Sequence, residues 1–269
     1  MNTHSNGKIL PTCLLGALAG DMIGSVYEFN PYKGTDFPLF GEGSRLTDDS
    51  ILTLAVADSL TGGGSYLERI RAYALAYPNS GFGGMFREWM HDPDPRPYGS
   101  FGNGSAMRVS PVGWAFETVD QVLREARASA MVTHNHPEGV KGAQAVALAI
   151  FLARNGMDKD HLRAEISSRF GYDLSARLDE IRPAYVFDET CQKTVPPAII
   201  AFLESENFEQ AVRLAVSLGG DADTLAAISG SIAEAYYGGV PEEIVNQVRQ
   251  RTLPVLWGVV EAFGKKFRK

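Results

Sequence analysis

The 269-residue sequence predicts an all-α fold. Three observations carry this: apolar residues recur every three to four positions in nearly every segment, capping residues bracket those segments, and strand signals are almost missing.

The first helical pattern runs through Leu14, Leu15, Leu18 and Met22, and a second through Ile51, Leu54, Ala55 and Asp58. Ile9 to Gly20 has the look of a secretory leader's apolar centre, but Lys8 alone precedes it, Pro11 interrupts it and Asp21 follows it, so a core helix is the expectation. Thr118 and Asp120 open a segment reaching Thr133; Pro137 and Glu138 open Val140 to Arg154, which Gly156 closes. Further helices are predicted at 158–170, 194–205, 207–217, 222–237, 241–250 and 254–267. Ala184 to Phe187 is the best short strand candidate. Pro78 to Pro111 is rich in glycine, aromatics and proline, a composition of specially shaped backbone on a helical scaffold. No repeat, low-complexity tract or linker divides the chain, so one domain over residues 1–269 is expected.

Net charge is −7, which argues against stable nucleic-acid binding because phosphate contacts need a basic face. Cys13 and Cys191 stand far apart with no metal-knuckle or redox spacing, which fits a reducing, cytoplasmic setting. No apolar run is long enough to span a bilayer, and no coiled-coil pattern declares a partner, so a monomer without a membrane partner is expected.

Two acidic turns carry the chemistry. Thr47-Asp48-Asp49 stands before the helix at Ile51, and Gly219-Gly220-Asp221-Ala222-Asp223-Thr224 repeats the arrangement far downstream. Capping explains one such Asp well. It explains four poorly, because crowded like charges repel, and a cation between the turns relieves them; hard oxygen ligands suit Mg²⁺ or Mn²⁺. An EF-hand is excluded by Leu225 and Ala226, which stand where its loop needs a ligand and a glycine. Such a centre serves phosphoryl or glycosyl hydrolysis, and carboxylates alone do not choose.

Tyr98-Gly99-Ser100-Phe101-Gly102-Asn103-Gly104-Ser105 leads into a helix near Ala106, so its N–H groups suit a phosphate or diphosphate, with Phe101 either a stacking face or a core aromatic. In Thr133-His134-Asn135-His136-Pro137-Glu138, hydrogen bonding to a ligand or capping suits the two histidines better than zinc, since no third His or Cys stands nearby. Glu28 follows the first helix at the unfavourable end of its dipole.

At this point the chain resembles the ADP-ribosylglycohydrolase family. Five motifs match in order: GALAGDMIGSVYEF at 16–29, TDDS at 47–50, GSFGNGSAMR at 99–108, THNHPEG at 133–139 and GGDADT at 219–224. The resemblance implies a compact orthogonal bundle of about a dozen helices with a binuclear metal cleft. It implies two Mg²⁺ (or Mn²⁺) ions on Thr47, Asp48, Asp49, Asp221, Asp223 and Thr224. It also implies a diphosphate loop at Gly99, Ser100, Phe101, Gly102 and Asn103, additional contacts at Gly81 and Gly83, and a ligand contact at His134. Glu28 would be a mobile glutamate, with Glu28 or Asp49 assisting proton transfer. The implied activity is release of ADP-ribose from an ADP-ribosylated protein or small molecule; the runner-up is a catalytically silent ADP-ribose binder. Pro31 to Arg45, with Lys33, Asp36 and Phe37, lacks the inserts that shape acceptor preference, so the resemblance leaves the acceptor open. A third, disfavoured reading is a metal-dependent phosphohydrolase on an all-α scaffold.

Overall fold

A computed structural model describes residues 8–268. Its described residues form fifteen α-helices and one two-stranded antiparallel ribbon. The helices are α1 (Leu15–Gly24), α2 (Asp48–Gly62), α3 (Tyr66–Ala76), α4 (Gly84–His91), α5 (Gly104–Met107), α6 (Ser110–Ala115), α7 (Val119–Ala130) and α8 (Pro137–Arg154). They continue with α9 (Lys159–Phe170), α10 (Leu178–Ile181), α11 (Cys191–Glu204), α12 (Phe208–Val216), α13 (Ala222–Tyr237), α14 (Glu242–Arg251) and α15 (Pro254–Phe267). The fold is all-α, as expected.

Side chains capping the helix starts explain why the predicted bounds fall close to the observed ones. Thr118, Asp158 and Asn207 each accept a backbone N–H two or three residues into α7, α9 and α12. Gly156, at φ +81°, lies just past the end of α8. α11 starts at Cys191 rather than 194, because Cys191 N donates to Phe101 O at 3.0 Å and ties the first turn to the glycine-rich loop.

Two expectations are corrected. Ala184 to Phe187 is not a strand: the Tyr185 ring lies against Gly220, and Lys33 Nζ takes the Tyr185 carbonyl at 2.6 Å, so its backbone is held by side chains instead of a ladder. The strands are β1 (Ile9–Leu10) and β2 (Val240–Pro241), joined antiparallel. Pro78 to Pro111 is not purely loop either, since α4, α5 and part of α6 lie within it. Glycine and proline there shape the turns between short helices.

α13 is the central helix, with α1, α8, α11 and α12 packed around it and Ala222 through Ala235 all buried. Its closest neighbour is α1. Gly16, Gly20 and Gly24 form a stripe at helical spacing, and a Cβ on Gly20 would stand 2.0 Å from the Ala226 carbonyl oxygen. Backbone therefore meets backbone along this seam. Glu234 of α13 closes it by accepting the N–H groups of Leu14 and Leu15 at 3.1 Å and Gly16 at 2.9 Å, a buried carboxylate at the positive end of α1. Of the stretch whose apolarity resembles a leader, Leu15 to Gly20 thus belong to a core helix and Ile9–Leu10 to the ribbon.

Gly20→Val is expected to destabilise the protein by about 3 kcal/mol, the upper range of overpacking, because backbone cannot give way as a side chain tip can. Urea denaturation checks it; an unchanged midpoint would contradict the close approach.

Candidate active site

The seam between α1 and α13 places two carboxylates at one end of the bundle: Asp21 inside α1 and Asp223 in the first turn of α13. Asp21 is completely buried, yet accepts Thr47 N at 2.9 Å, Thr47 Oγ1 at 2.7 Å, Ser50 N at 3.1 Å and Ser50 Oγ. It caps α2 from a neighbouring helix and sets the orientation of the Thr47-Asp48-Asp49 turn. Thr47 in turn accepts Asp49 N at 3.3 Å. Its hydroxyl is therefore engaged in capping on both counts.

Capping does not consume the other acids. Asp221 is the N-cap residue of α13 but makes no side-chain cap; its Oδ2 accepts Asn103 Nδ2 at 2.6 Å. Asp49 Oδ1 accepts Thr224 Oγ1 at 3.0 Å, which joins the two acidic turns directly across 175 residues. Carboxylate oxygens of Glu28, Asp221 and Asp223 approach within 4.8 Å of one another. Gly81, at φ +114°, backs onto Asp48 so closely that a Cβ would lie 3.0 Å from its Oδ1. Asp48 N donates to Ser80 O at 2.8 Å from the same turn.

The electrostatics follow from this crowding. Burial, then the charge of Asp223, pushes Glu28 up to about 8, with Arg45 opposing. The same two causes push Asp48 to about 8, while burial takes Asp221 to about 6. Asp49 and Asp223 are driven far above the usual carboxylate range by burial and by the neighbouring aspartates. Such a set of oxygens fits a hard divalent cation, which would relieve the repulsion that protonation otherwise relieves.

One cleft gathers most of the expected residues. Glu28, Asp48, Asp49, Asp221, Asp223 and Thr224 form its acidic end; Gly81, Gly83, Ser100, Gly102, Asn103 and His134 line the remainder. Asn103 bridges the two ends through Asp221 and also donates to Thr194 Oγ1 at 3.0 Å. Three expected residues are not among the lining. Thr47 faces Asp21. Gly99, at φ +71°, donates its N–H to Asn135 Oδ1 at 2.7 Å and shapes the loop. Phe101 is 45 % exposed, outside the core, with its ring 5.2 Å from that of His136. His136 is the cap of α8, its Nδ1 accepting Glu138 N at 3.2 Å.

Sequence reasoning missed Asp21, Thr194 and the segment Glu189–Cys191, whose backbone pairs with Phe101 to Asn103. Asp21 left a signal, a lone carboxylate inside an otherwise apolar helical run. Thr194 left none, because its partner lies 91 residues away.

The ADP-ribosylglycohydrolase family profile matches residues 10–268. The chain is 28 % identical to the mouse (Mus musculus) ADP-ribosylhydrolase ARH3 over 84 % of this chain and 83 % of that protein. It is 31 % identical to the Pseudomonas putida ADP-ribosylarginine hydrolase Tri1 over 87 % of this chain and 72 % of that protein. A solved structure described as an ADP-ribosylglycohydrolase-related protein complex superposes with a TM-score of 0.72 at 26 % identity, covering 95 % of this chain and 96 % of that chain.

Proposed function

The chain belongs to the ADP-ribosylglycohydrolase family, and on that premise we propose that it is a divalent-cation-dependent hydrolase that releases ADP-ribose from an ADP-ribosylated side chain or small molecule. The observation that carries this reading is the Thr224–Asp49 hydrogen bond, which brings two acidic turns together at one end of a cleft whose other end is a glycine-rich loop. A ligand with a diphosphate beside a ribose needs those two chemistries side by side.

Asp48, Asp49, Asp221, Asp223 and Thr224 are the residues proposed to hold two Mg²⁺ or Mn²⁺ ions, with Thr47, expected as a further ligand, instead orienting the α2 turn through Asp21 and Asp49. Bound there, the cations would neutralise the carboxylates and polarise oxygen atoms of the ribose and of water. Ser100, Gly102 and Asn103 present the loop to the diphosphate, Gly81 and Gly83 close the opposite wall, and exposed Phe101 offers a ring to the adenosine portion. Hydrolysis adds the hydroxyl of water to C1″, breaks the bond to the acceptor and leaves a proton on the acceptor atom. Of the two carboxylates weighed for moving that proton, Asp49 is fully buried with an oxygen held by Thr224, whereas Glu28 stands half-buried on the turn after α1. Glu28 is therefore the better placed to reach the scissile bond. Both cysteines are free and buried, which supports activity in the reducing cytoplasm. No helix among the described residues is long and apolar enough to cross a membrane.

The test is incubation with arginine- and serine-linked ADP-ribose, with Mg²⁺ or with EDTA, reading free ADP-ribose. Release that needs the cation is expected. Equal release in EDTA would exclude the cation-dependent reading, and binding of ADP-ribose without release from any substrate would establish a silent binder.

A further inference from the structure

Among the described residues Arg108 is the largest fully buried side chain, and it enters the core at the end of α5 with no carboxylate partner among them. Its Nη2 donates to Ser129 O at 2.9 Å and Thr133 Oγ1 at 3.0 Å, while Nε and Nη1 are enclosed without a hydrogen-bond acceptor. A buried cation left this poorly satisfied is costly, so its retention calls for a reason.

The reason lies in the next contact. A guanidinium only donates, so Thr133 Oγ1 must accept from Arg108. The hydroxyl's single proton is then free for its other partner, His134 Nδ1, 2.6 Å away. When that proton is given to Nδ1, a neutral imidazole carries its own proton on Nε2. Neutrality follows from the surroundings: His134 is buried, and Arg108 beside it opposes a second positive charge, so its pKa falls well below the usual histidine value. The Nε2 edge lies along the glycine-rich loop, 3.2 Å from where a Cβ on Gly104 would stand, and the ring lines the cleft.

We propose that Arg108 and Thr133 are positioning residues that lock His134 in one tautomer, making its Nε2–H a fixed donor to a phosphate or ribose oxygen held against Ser100 to Asn103. The ligand half of this rests on the glycohydrolase reading; the proton arrangement in the free protein does not. A histidine free to exchange tautomers would present an acceptor to that oxygen part of the time, and an acceptor repels it. Part of Arg108 borders the cleft, but its free nitrogens are enclosed, so it acts through Thr133.

The experiment uses the full chain labelled with ¹⁵N-histidine, with the His134 signals assigned by their loss in His134→Gln. The expected wild-type spectrum shows a pyridine-type Nδ1 and a protonated Nε2 at neutral pH. Thr133→Val, close in shape but without the hydroxyl, is expected to give mixed tautomers and about tenfold weaker ADP-ribose binding by calorimetry, as for one lost hydrogen bond to an anion. Thr133→Ser is expected to restore both. A wild-type Nδ1–H tautomer overturns the proposal, as does a Thr133→Val protein with unchanged spectrum and affinity. Wild-type protein that shows the expected tautomer but binds no ADP-ribose overturns the glycohydrolase reading and the ligand half together, leaving the relay decided by the spectrum.

Discussion

Replacing Asp223 with asparagine is expected to abolish turnover while making the cation-free protein more stable. Asp223 is almost wholly buried among Asp221, Asp21 and Asp49, and its charge is a leading reason that Glu28, Asp48 and Asp49 are pushed upward. The amide has nearly the same shape, carries no charge, and can donate to Asp221, whose contact with Asp223 is one cause of the upward push on Asp223. Relief of one buried, unpaired charge is worth about 2 kcal/mol. Turnover moves the other way, because a carboxylate supports a divalent cation far better than an amide does; a loss of about a thousandfold or more, roughly 4 kcal/mol of barrier, is expected. Thermal denaturation in EDTA and ADP-ribose release in Mg²⁺ read the two halves separately. A variant both less stable and fully active would remove Asp223 from the proposed cation site.

The second large effect is that cation-free protein loses stability as pH rises from about 4 to about 8. An acid whose folded pKa lies above its unfolded value holds more protons folded than unfolded in the interval between, so stability falls with pH across that interval. Asp221 is raised to about 6, and Glu28 and Asp48 to about 8, from ordinary values of 3.8 and 4.5. The loss therefore begins near pH 4 and is complete once pH passes 8. Mg²⁺ competes with these protons, so its stabilisation grows over the same interval. At saturating Mg²⁺ and pH 8, about 3 kcal/mol and a Tm rise of roughly 5 to 10 °C over EDTA are expected, shrinking at pH 5. Asp223→Asn supplies the reference, because groups elsewhere titrate equally in both proteins. An Mg²⁺ shift of the same size at pH 5 and pH 8 would contradict the acidic end as its binding site.

Helix bounds were largely legible because their causes are local. Thr118, Asp158 and Asn207 cap within three residues of themselves, and the apolar period that buries α13 on all sides is read over four. Ala184 to Phe187 was misread for the complementary reason: β-branched and aromatic residues favour a strand only if an edge is there to pair with, and here Lys33 and Gly220 are. The capping explanation for the acidic turns was also half right. Thr47 does cap α2, and Asp21, from α1, caps it too.

By itself, then, the sequence determined an all-α chain, the placing of most of its helices, and two acidic turns too crowded to be caps alone. Tertiary structure decided which of those acids face one another. Asp49 meets Thr224 across 175 residues, Asn103 meets Asp221 across 118, and Glu234 meets the start of α1 across 218 to 220. Helical propensity and capping act within a turn of chain, whereas a site of like charges exists only where packing, here the glycine seam of α1 on α13, forces distant backbones together.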